Sequence, residues 1–60
     1  MKYFDLNLLV EVPDELSLDD FEYEFRKIIE KYNWSASGEI FEVDENDNKI
    51  EGKTRILTLI

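Results

Sequence analysis

The residues able to do chemistry in this chain are almost all carboxylates. Fifteen Asp and Glu stand against seven Lys and Arg, and there is no His and no Cys. A Ser-His or Cys-His nucleophile pair is therefore impossible, and so is a zinc site of His and thiolate ligands. Adjacent carboxylates such as Asp19 with Asp20 or Asp44 with Glu45 fall at a helix start and in a turn, where water keeps both ionised and neither is tuned as an acid. The only glycines are Gly38 and Gly52, which rules out a Gly-rich phosphate loop. These observations argue against an enzyme and against any cofactor.

One run deserves a metal test. Asp44, Asn46 and Asn48 alternate as the first oxygen ligands of an EF-hand loop do, but Lys49 stands where the sharp turn needs Gly and Arg55 where the bidentate Glu belongs. A hairpin turn is the expectation, with no metal.

The elements that must position these side chains follow from hydrophobic periodicity. Phe4, Leu6, Leu8, Val10 and Val12 alternate with Asp5, Asn7 and Glu11, the period-two signature of a strand with one buried face, over about residues 2–12. Pro13-Asp14-Glu15 ends it. Ser17 is placed as an N-cap, and Leu18, Phe21, Phe25, Ile28, Ile29 and Tyr32 form one apolar stripe of a helix over about 18–32. Acids lead that helix, cations close it, and Glu22 with Arg26 makes an i,i+4 pair. Asn33 suits its C-terminus.

A second strand is expected over about 34–43, with a break in parity between Ile40 and Phe41 that suggests a bulge near Gly38. The polar run from Asp44 to Asn48 turns the chain into a third strand, about 50–60, whose end, Ile56-Leu57-Thr58-Leu59-Ile60, is apolar on both parities. The expected fold is a single α+β domain, β-α-β-β, with a three-stranded mixed sheet in the order 1-3-2 and one helix on one face. The order 3-1-2 is the alternative.

A net charge of -8 repels phosphate backbones and anionic lipid, so direct nucleic-acid or membrane binding is not expected. Eight aromatics are too many for a disordered acidic tail. No apolar run reaches signal-peptide or membrane-span length, and the cytoplasm is the expected location.

Two interaction surfaces emerge. The first is acidic: Asp19, Asp20, Glu22, Glu24 and an outward Tyr23 on the helix, with Asp44, Glu45 and Asp47 in the hairpin turn. These suit a basic surface on another protein, in the manner of a DNA-mimicking inhibitor of phage or mobile-element type that occupies a nucleic-acid-handling protein. The second is the sheet face away from the helix, carrying Tyr3, Leu9, Phe41, Val43, Leu57 and Leu59, which suits a homodimer or a larger assembly. The expected function is a small, acidic, non-enzymatic protein-interaction module, with a structural or assembly role through the open sheet face as the alternative.

Overall fold

A computed structural model describes residues 1–59 as one helix followed by one hairpin: α1 (Leu18–Lys31), β1 (Ala36–Val43) and β2 (Lys49–Leu59). The helix begins where the sequence places it. Ser17 is extended, its Oγ accepts from the Asp20 amide at 3.1 Å and its carbonyl accepts from Phe21 at 2.9 Å, so two of the first amides of the helix are satisfied locally. At the other end the chain closes in a Schellman arrangement. Asn33 takes the left-handed conformation at φ 58, its amide donates to the Glu30 carbonyl, and the Trp34 amide donates to Ile29 at 3.1 Å. Asn tolerates that conformation better than a branched residue, which is why the helix stops there.

Leu18, Phe21, Phe25 and Ile29 turn toward the sheet, but Ile28 and Tyr32 remain 52% and 53% exposed. Ile28 lies at one edge of the stripe and Tyr32 at its last turn, beyond what two strands can cover. Tyr32 stacks instead on Trp34, with ring centroids 4.9 Å apart.

The strands β1 and β2 pair antiparallel from Ala36 opposite Leu59 to Phe41 opposite Thr54. The ladder passes Gly38 without a shift. The irregularity expected near Gly38 lies further along, between Phe41 and Val43, because Val43 is opposite Lys49. The extra residues are on β2 and include Gly52 at φ +80, a conformation that L side chains rarely adopt. At the turn, Asp44 Oδ1 accepts from the Asn46 and Asn48 amides at 2.8 and 3.0 Å, and Asp47 is left-handed at φ 64. On β2, Arg55, Leu57 and Leu59 face α1, whereas Ile56 points away and is 68% exposed.

The expected three-stranded mixed sheet is not formed. The sheet has two strands, β1 and β2, both antiparallel, so neither the order 1-3-2 nor the parallel pair exists, and β2 is not a central strand. Residues 2–12 belong to no ladder and make no backbone–backbone hydrogen bond among the described residues. Ile60, the last position of the expected third strand, lies outside the described residues. Charge supplies the reason the first segment stays apart. It carries Asp5 and Glu11 and leads into Asp14 and Glu15, and the strand and turn across the cleft carry Glu39, Glu42, Asp44, Glu45 and Asp47, so docking would set like charges against each other. Period two shows that a segment can be a strand; it does not supply a neighbour.

The resulting core is thin. Among the described residues only Ile29 and Leu57 are buried, at 8% and 4% exposure. The chain exposes 5784 Å², whereas a monomer of 7.2 kDa is expected to expose about 4,100 Å². Its radius of gyration, 12.4 Å, likewise exceeds the roughly 10 Å of a compact domain of this length.

Candidate interaction site

The unpaired segment 6–13 forms one wall of an open cleft. Leu18, Phe21 and Phe25 of α1 provide the floor, residues 39–43 of β1 the opposite wall, and the hairpin turn one end. The cleft has a volume of about 1150 Å³ and is broadly open to solvent. Its apolar lining is rimmed by seven carboxylates, Glu11, Asp14, Glu39, Glu42, Asp44, Glu45 and Asp47, against one cation, Lys49.

The acidic residues singled out in the sequence divide between this cleft and the far side of α1. Asp44, Glu45 and Asp47 line the cleft. Asp44 also spends one carboxylate oxygen on the turn amides. Of the helix acids, Asp19 is held by Arg55 at 2.7 Å, Glu22 by Arg26 at 3.2 Å and Glu24 by Lys27 at 3.1 Å. Glu22 is also largely covered, its side chain 18% exposed. Three of the five helix carboxylates thus already have a cation, which leaves Asp20 and Glu30 without one among the described residues. Tyr23 is exposed, but Lys27 sits 4.9 Å from its ring centroid. The helix face therefore presents little uncompensated negative charge.

The apolar surface candidates are also distributed. Leu57 is the most buried of the described residues, while Val43 and Leu59 are half-buried. Phe41 is 39% exposed with Lys49 4.2 Å from its ring centroid. Tyr3 and Leu9 lie in the unpaired segment, 86% and 75% exposed, and share no sheet face with the others.

Glu39, Glu42, Glu11 and Asp14 were not among the sequence candidates, yet they supply more than half of the rim. Their signal was their setting. Each is an acid flanked by the apolar residues that become cleft walls, such as Ile40 and Phe41 beside Glu39 and Glu42. The Asp19–Arg55 pair, which ties the start of α1 to β2 across 36 positions, has no signal in local spacing at all.

No protein-family model matches the chain, and neither the curated proteins nor the solved structures contain a match to it. Among the described residues no helix is long and apolar enough to cross a membrane.

Proposed function

We propose that this chain is a non-enzymatic protein-interaction module whose acidic, apolar-floored cleft takes up a basic amphipathic segment of another protein. The observation that carries the reading is the rim of seven carboxylates and one lysine around walls made of Leu, Val and Phe side chains. An extended partner entering there meets backbone on both sides, from residues 6–13 and from β1, and main-chain hydrogen bonds would add to the charge attraction. A nucleic-acid-handling protein that offers such a basic segment is one class of partner. Broad phosphate mimicry by the helix has less support, because Asp19, Glu22 and Glu24 are each neutralised locally.

The test is calorimetric titration of the full chain with a synthetic peptide alternating Leu and Lys, beside a peptide alternating Leu and Glu. Binding of the first alone is expected, weakening steeply as salt rises. Glu39→Gln with Glu42→Gln should weaken it, whereas Glu30→Gln with Glu51→Gln, the same charge change outside the cleft, should not. Equal loss from both pairs would reduce the effect to bulk charge and overturn the cleft as the site.

A further inference from the structure

We infer that residues 4–12 are a self-association strand, pairing antiparallel with the same segment of a second copy of this chain across a two-fold axis. The inference does not rest on the cleft's taking a basic partner. It rests on exposure, area and pattern.

Phe4, Leu6, Leu8 and Val10 are 82%, 64%, 72% and 54% exposed, and none of residues 1–12 has a backbone partner among the described residues. An alternating apolar segment with free amides and carbonyls is a template for another chain. The area agrees. The exposed surface exceeds that of a compact 7.2 kDa monomer by roughly 1,700 Å², whereas a standard interface takes about 800 Å² from each partner and an obligate dimer more than about 1,000 Å². A second copy removes a surplus of that size.

The pattern favours a copy of the segment itself. In an antiparallel two-fold pair centred on Asn7, Leu6 falls opposite Leu8 and Phe4 opposite Val10, so all the even-numbered apolar side chains share one face of the ribbon. Asp5 then faces Leu9 and Glu11 faces Tyr3. A pair centred on Leu8 would instead put Asp5 directly against Glu11 twice, which like-charge repulsion disfavours. The contact is isologous, the same segment serving both copies.

Sedimentation analysis of the full chain across concentration and salt tests this. A species of twice 7.2 kDa is expected, and its share should rise with salt because each copy carries a net charge of -8. Leu8→Pro should weaken the dimer about tenfold or more by removing a ladder donor, with the circular dichroism of the helix unchanged. The chain has no cysteine, so Asn7→Cys should oxidise readily to a cross-linked dimer while the same change at Glu51 does not. A chain that stays at 7.2 kDa at every concentration and salt overturns the inference. So does a dimer that persists in Leu8→Pro or that leaves Asn7→Cys uncross-linked.

Discussion

Leu8 and Leu57 look alike in sequence, each in a short strand-like run, and the structure separates them sharply. Leu57 is 4% exposed and Leu8 72% exposed. Truncating either to alanine removes about three carbons, worth roughly 2.4 kcal/mol of transfer free energy if fully buried. At Leu57 that term applies in full and the cavity adds to it, so Leu57→Ala should cost about 3 kcal/mol, within the range for buried leucines. At Leu8 just over a quarter of the side chain is covered, which scales the loss to about 0.7 kcal/mol with no cavity behind it. A domain of this size has only about 3–9 kcal/mol to lose, and with two buried residues among those described this one stands near the bottom of that range. Leu57→Ala should therefore leave a large unfolded fraction in water, while Leu8→Ala shifts the urea midpoint only slightly. Urea titration followed by far-ultraviolet circular dichroism, at micromolar protein and low salt so that self-association does not contribute, reads both. If Leu8→Ala costs as much as Leu57→Ala, the segment 2–12 is packed as a strand in the single chain and the two-stranded description fails.

Two further substitutions probe the local devices. Asn33 holds the left-handed position that ends α1, so Asn33→Gly should be neutral or slightly stabilising, whereas Asn33→Val should cost about 1–2 kcal/mol in the same urea assay. Asp19→Asn removes the bridge to Arg55, whose partners are 40% and 72% exposed; the loss should be about 0.2–1 kcal/mol at low ionic strength and disappear near 1 M salt, as the difference in thermal midpoints between the two conditions will show.

The helix was the most legible part of this fold because every signal for it is local. Ser17, the Leu18–Phe21–Phe25–Ile29 stripe, the Glu22–Arg26 pair and Asn33 all act within one or two turns of their own position. The hairpin was nearly as clear, since the polar run at 44–48 demands a reversal between apolar segments and Asp44 closes it with its own carboxylate. What the pattern could not carry was the company each strand keeps. Phe4 to Val12 alternates more strictly than β1 does, yet β1 has a ladder and residues 4–12 have none. Pairing is a long-range choice, and here repulsion between Glu11 and Asp14 on one wall and Glu39 and Glu42 on the other weighs against it. The same limitation hid the site. The cleft gathers acids from three separated stretches, and only the hairpin stretch stood out as a charge run. Apolar residues on both parities near Leu57 predict a central strand, yet the outer side chain, Ile56, is simply left in solvent.

One charge distribution governs both proposed associations, and it acts on them in opposite directions. A basic segment is drawn to the rim of Glu39, Glu42 and the hairpin acids, so added salt weakens it; a second copy, also at -8, is pushed away, so added salt strengthens it. Both use the segment 6–12, either as a wall of the cleft or as half of a ribbon between copies. They therefore exclude one another at that segment. On these two proposals a basic partner would displace the second copy, because it neutralises carboxylates that two copies only bring closer together. Among the described residues only Ile29 and Leu57 are buried and Phe21 and Phe25 remain part-exposed, so an occupant that covers those two rings would supply burial that the hairpin and helix lack on their own.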